Sequence, residues 1–177
     1  MELIIGLGNP GKKYEKTRHN LGFLVINELA EKMEMNNWKI KMQFNANIAQ
    51  GNFKNEKIIL AKPQTFMNNS GMAIKSIVDY YKIPNENIFI IHDDIDLLLG
   101  EIKVQKNRSS AGHKGVQSII NALGTKDFIR VRLGIKSIDQ KTIIDTEKFV
   151  LQKFSKDEEK IVQEIIIRAA GLITAAL

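Results

Sequence analysis

The chain has 177 residues and no cysteine, which excludes disulfides, thiolate nucleophiles and cysteine-ligated zinc or iron–sulfur centres, and makes a reducing cytoplasmic compartment the expectation. The length fits one domain that buries its own core. No apolar run approaches the roughly 18 residues of a membrane span, and the first residues read as a strand rather than a signal peptide. A net charge of +6 is compatible with a polyanionic partner or with a solvated basic face.

In chain order, Leu3–Leu7 is an apolar run that reads as a strand. Asn20 is placed to cap a helix whose inner face is Leu21, Leu24, Val25, Leu29 and Met33. Residues 46–53 and 57–61 read as strands around a turn at Lys54-Asn55. Ser70 opens a helix with Met72, Ile74, Ile77, Val78 and Tyr81 facing inward, ending before Pro84. Residues 87–91 form a short apolar strand of the buried parallel kind. Residues 101–105 alternate as a strand, 115–123 form a helix closed by Gly124, and 128–135 form another strand. Ser155-Lys-Asp-Glu158 is a capping box for a last helix through Ile161, Val162, Ile165, Ile166, Ala169 and Leu172. This alternation predicts a single α/β domain: a twisted mixed, mostly parallel sheet with helices on both faces.

In such sheets, ligands sit beyond the carboxyl ends of the strands. There the chain places Asn9 and His19, then Met67-Asn68, then HDDID at 92–96, then SSAGHKG at 109–115. His92 reads as a hydrogen-bonded residue ending the buried strand. Gly6-Leu-Gly8-Asn-Pro-Gly11 matches the letters of a dinucleotide-binding loop. The context fails, because no helix starts before Asn20 and no acidic residue ends a second strand about 20 residues on. The loop residues themselves suggest hydrolysis. A His with an Asp orienter, His19 with Asp93, can activate water, and amides of Asn9 and Asn68 can hold a carbonyl oxygen or the water. Asp93, Asp94 and Asp96 could alternatively bind Mg²⁺. Two segments, 100–114 and 126–136, each carry a local charge of +3 and could form one patch.

Taken together, GLGNPGKKYEKTRHNLG (6–22), KPQTFMNNSG (62–71), HDDIDLLLGEIK (92–103), SAGHKGVQSII (110–120) and FIRVRLGI (128–135) resemble bacterial peptidyl-tRNA hydrolases. The match keeps the family's order and spacing from residue 3 to about 155. The resemblance implies a cytoplasmic, cofactor-free, metal-free monomer that cleaves the ester between a peptide and tRNA. It implies His19 as base and Asp93 as its orienter. Asn9, Tyr14, Met67, Asn68, His113 and Lys114 fall at substrate-binding positions, and Lys103 and Arg132 at positions that hold tRNA phosphates. A catalytically silent RNA-binding relative is the alternative. The chain departs from the family's usual pattern at Lys114, where an asparagine is common, and at Gln105, Ala111 and Leu98-Leu99.

Overall fold

The computed structural model describes residues 1–137 and 145–177. Seven strands form one sheet in the order β2-β3-β4-β1-β5-β7-β6: β1 (Glu2–Gly6), β2 (Lys39–Lys41), β3 (Ala46–Phe53), β4 (Glu56–Pro63), β5 (Ile88–Leu98), β6 (Ile102–Lys106) and β7 (Ile129–Lys136). The centre, β4-β1-β5-β7, is parallel, and antiparallel pairs extend it at both edges. Helices α1 (Leu21–Lys32) and α5 (Lys156–Ala176) cover one face, and α2 (Ser70–Tyr81) and α3 (Lys114–Leu123) the other. A short α4 (Thr146–Val150) precedes α5.

Strand alternation divides the core. On β1, Ile4 joins the α1/α5 layer while Leu3 and Ile5 join the α2/α3 layer. On β5, Phe89 and Ile91 face α1, and Ile88 and Ile90 face α3. Gly6 serves packing rather than a cofactor: a Cβ there would lie 2.3 Å from the Gly22 carbonyl of α1. The β3–β4 hairpin turns at Lys54 and Asn55, both with positive φ (48° and 68°), as a tight hairpin connection requires.

The main correction to the sequence reading is β5. It does not stop at Ile91 but continues through His92, Asp93 and Asp94 to Leu98, so these residues lie in a strand and not in a loop. Polar residues read as loop because water normally satisfies them; here His92, Asp93 and Asp94 each have a protein partner. The edge strand β2 and the single turn α4 carry too few residues to show a period. Met72, Ile161 and Leu172, expected inside, are 64 %, 39 % and 49 % exposed, at the margins of their helices' apolar stripes. Asn20 stands at the N-cap of α1 but makes no capping hydrogen bond.

Candidate active site

The site lies where β5 leaves the core. By alternation, Asp93 faces the α1 side, and His92 and Asp94 face the α3 side. His19 sits in the 3₁₀ turn Arg18–Asn20 that leads into α1, and His113 is the N-cap of α3. Both rings converge on Asp93. His19 Nδ1 lies 2.9 and 3.0 Å from its two carboxylate oxygens, and His113 Nε2 3.1 Å from Oδ1. A carboxylate accepts only, so both nitrogens carry the protons. His113 Nδ1 in turn accepts the Val116 N–H at 3.3 Å. His19 Nε2 has no partner among the described residues, so its lone pair is available in a cleft of about 250 Å³ lined by His19, Asp93, Gly112, His113, Lys114 and Val150.

Burial alone would lower the His19 pKa, but the charge and hydrogen bond of Asp93 outweigh it, and the ring sits above its ordinary 6.5. Burial would raise the Asp93 carboxyl, yet the two histidines hold it well below the usual carboxylate range. An ionised carboxylate beneath an imidazole with a free Nε2 is an arrangement able to take a proton from water.

The other expected residues fall into a linked second group. Asn9 Oδ1 accepts the Met67 N–H at 2.8 Å, which assigns its amide and leaves Nδ2 as a donor without a partner among the described residues. Met67 packs on α3 beside His113: a Cβ at Gly115 would come 2.4 Å from its Sδ and 3.2 Å from the His113 ring. Asn68 is exposed on the same 3₁₀ turn. Tyr14 meets Phe66 edge-to-face at 6.4 Å. Asn9, Tyr14, Met67 and Asn68 do not line the cleft of His19; Asn9 lines a neighbouring cavity of about 380 Å³.

Sequence reasoning missed two residues that build this frame. Asn20 is no helix cap. Its Oδ1 accepts the Asn9 N–H and its Nδ2 donates to the Asn9 carbonyl, both at 2.9 Å. Arg18 is 6 % exposed. Its guanidinium donates to both carboxylate oxygens of Glu158 at 3.1 and 2.8 Å and to the Ile135 carbonyl at 3.2 Å, and it lies over the Phe149 and Phe154 rings at 4.6 and 4.8 Å. It ties the turn carrying His19 to the first turn of α5. The RHN triplet contains both residues, but no local pattern reveals partners so far along the chain.

Lys114 points to Glu147 and ion-pairs with it across the cleft mouth, where both are largely exposed. Such a pair contributes little. Ala111 holds a left-handed backbone (φ 48°), a conformation that glycine adopts without the steric cost of a Cβ. The three aspartates diverge: Asp93 serves the histidines, Asp94 pairs with Arg132, and Asp96 is exposed. Among the described residues, the metal-competent grouping is His19, Asp93 and His113, whose facing atoms are already joined by N–H donors.

Of the two basic segments, β6 and β7 pair Lys103 with Arg132 and Gln105 with Arg130, so these side chains share the α3 face. Lys103 is exposed. Arg132 is oriented by Asp94 through Nε and Gln105 through Nη1, both at 2.6 Å, with further N–H donors to spare. Lys106 projects to the opposite face and meets Asp127 at 3.4 Å. Arg130, counted with the patch in the sequence, is only 1 % exposed.

Residues 3–177 match the family model described as peptidyl-tRNA hydrolase. The chain belongs to the peptidyl-tRNA hydrolase family. A peptidyl-tRNA hydrolase of Thermoanaerobacter sp. is 51 % identical over 98 % of this chain and 91 % of its own length. That of Mycoplasma capricolum is 49 % identical over 93 % and 86 %. The crystal structure of the Acinetobacter baumannii family member superposes with a TM-score of 0.89 at 31 % identity, covering 99 % of this chain and 89 % of that one. The mixed sheet and its helices are thus those of this hydrolase family.

Proposed function

We propose that the chain hydrolyses the ester joining a peptide, or an N-blocked amino acid, to tRNA, with water activated at His19. Family membership supplies the reaction. The observation that carries the residue roles is the His19 ring, anchored through Nδ1–H on ionised Asp93 with Nε2 open to the cleft. Water bound at Nε2 gives up its proton as it attacks the ester carbonyl. Asp93 stabilises the imidazolium so formed, and that proton then passes to the departing ribose oxygen. Asn9, which lines the neighbouring cavity, and the exposed Asn68 supply hydrogen-bond donors for substrate groups that extend beyond the His19 cleft. An ester with a ribose leaving group needs no stronger nucleophile than this. A blocked α-nitrogen enters as an uncharged amide, whereas a free ammonium must be desolvated, which favours peptidyl over aminoacyl substrates.

The test is release of the acyl group from N-acetyl-aminoacyl-tRNA in the presence of chelator. The wild type turns over, and His19→Ala loses about 10²–10⁴-fold in kcat. A variant as active as the wild type removes His19 from its role, and loss of wild-type turnover on chelation would favour a metal mechanism instead. Equal kcat/KM for acetylated and free aminoacyl-tRNA would refute the electrostatic account of selectivity.

For the tRNA body we assign Lys103 and Arg132, on one face of β6–β7, to phosphate contact. Lys103→Ala is expected to raise KM and reduce the slope of log KM against log salt by about one, with kcat and thermal stability unchanged. Arg132→Ala adds a loss of stability, because Asp94 is left buried without its partner. Unaltered salt dependence in Lys103→Ala would exclude the contact. We read the protein as a cytoplasmic monomer; no described helix is long and apolar enough to cross a membrane.

A further inference from the structure

Arg130 is a buried cation that the mechanism above does not use. It is 1 % exposed, and Asp94, a carboxylate on the same face, is committed to Arg132. Its Nη2 has no partner among the described residues. Burying a guanidinium this way is costly, and such costs are retained mainly at functional sites.

Its remaining donors are spent on two points. Nε–H donates to Nε2 of His92 at 3.1 Å, and Nη1 donates to the Ser109 carbonyl. Because His92 Nε2 accepts, the ring's proton is on Nδ1, where it is donated to the backbone carbonyl of Asp93 at 2.7 Å. The His92 ring is fully buried and stands edge-to-face against His113 at 4.6 Å. Ser109 opens the loop that delivers His113 to Asp93, and Ser110 Oγ locks that loop to Gln117 Oε1 at 2.7 Å. One planar fork therefore reaches both components of the catalytic support. Through His92 it fixes the backbone that presents Asp93; through Ser109 it fixes the loop that presents His113. Each ring has its tautomer set by a neighbour: His92 by Arg130, His113 by the Val116 N–H, His19 by Asp93.

We propose that Arg130, acting through His92 and the Ser109 carbonyl, is a positioning residue that holds Asp93 and His113 in register under His19. The proposal rests on the reading of His19 and Asp93 as base and orienter. Lysine does not substitute, since one ammonium cannot span a ring nitrogen and a carbonyl on different elements as a rigid fork does. His92 belongs to the device as a neutral ring: burial, His113 and Arg130 all disfavour its charged form, against the pull of Asp93.

Arg130→Met and Arg130→Lys test this against N-acetyl-aminoacyl-tRNA, with wild-type turnover established first so that failure of the underlying reading shows separately. Both variants are expected to lose about 10²-fold in kcat, the cost of misplacing reacting groups by about 1 Å. KM and its salt slope should stay within about twofold, and the acidic limb of the kcat/KM profile should shift. Unchanged kcat in Arg130→Met, wild-type kcat in Arg130→Lys, or an effect confined to KM and salt slope would each overturn the proposal; the last would make Arg130 a phosphate contact. Should the variants not fold, long-range ¹H–¹⁵N spectra of the unmodified protein decide. His92 is expected as the neutral Nδ1–H tautomer at pH 7, and its titration is expected to lie well below the ordinary 6.5. A His92 that carries its proton on Nε2, or that titrates near 6.5, overturns it equally.

Discussion

Asp93→Asn is expected to lower kcat by about three to four orders of magnitude and to move the acidic limb of kcat/KM downward. The carboxylate accepts one N–H from His19 and one from His113. An amide offers a single acceptor oxygen and turns an NH₂ donor toward the other ring. One imidazole must then shift its proton to the far nitrogen. For His19 that places the proton on Nε2 and removes the lone pair that takes the proton from water. The pH effect follows from the same charge. With Asp93 ionised, the His19 pKa lies above 6.5, and activity should fall as pH drops through that raised value. Without the charge, burial remains as the leading influence and acts to lower the pKa, so the midpoint should fall below that of the wild type. Rates from pH 5 to 9 for both proteins check this. An unmoved midpoint together with an intact kcat would remove Asp93 from the mechanism.

Most of the frame was legible because hydrophobic periodicity is a local signal. The helices over 21–32, 70–81 and 156–176 and the hairpin at Lys54-Asn55 stand close to where the apolar pattern and turn residues put them. The pairing of His19 with Asp93 was open from the residues alone, as an imidazole with a carboxylate orienter among other uses, and was singled out by the family resemblance; the two side chains meet at 2.9 Å. What pattern could not show is how the polar residues are satisfied. β5 runs through His-Asp-Asp because Arg130, the two other histidines and Arg132 neutralise or hydrogen-bond each of them. Those partners come from three other elements, and nothing within the HDDID segment announces them. For the same reason, Arg130 read as one more cation of a basic patch; it shares its face of β7 with Arg132 but is held against His92 and the Ser109 carbonyl. Asn20 read as a cap because the residue type that caps a helix is equally the type that clasps a neighbouring backbone.

Arg18 carries the second large effect, and it joins stability to catalysis. Arg18→Ala is expected to destabilise the protein by about 3 kcal/mol. It removes a bidentate ion pair whose side chains are 7 % and 12 % exposed, the stacking on Phe149 and Phe154, and the bond to Ile135. Glu158 keeps its bonds to Ser155 and Ser137 but loses its counter-charge. Glu158→Gln should cost less, because glutamine at this position still closes the capping box on Ser155. The pH dependence separates the pair from mere packing. Burial would raise the Glu158 carboxyl, but Arg18, Ser137 and Ser155 hold it below its ordinary 4.5. A depressed carboxylate contributes stability that is fully present above about 4.5 and lost as pH falls through the folded value. The stability gap between wild type and Arg18→Ala, measured by urea unfolding, should therefore be full at pH 7 and narrow below about pH 4.5. Because Arg18 and His19 share one 3₁₀ turn, kcat should fall in the same variant under conditions where it remains folded. A gap that persists unchanged in acid would assign the loss to the aromatic stacking and the Ile135 hydrogen bond rather than to the ion pair. Native kcat in folded Arg18→Ala would show that the His19 turn holds its geometry without this anchor.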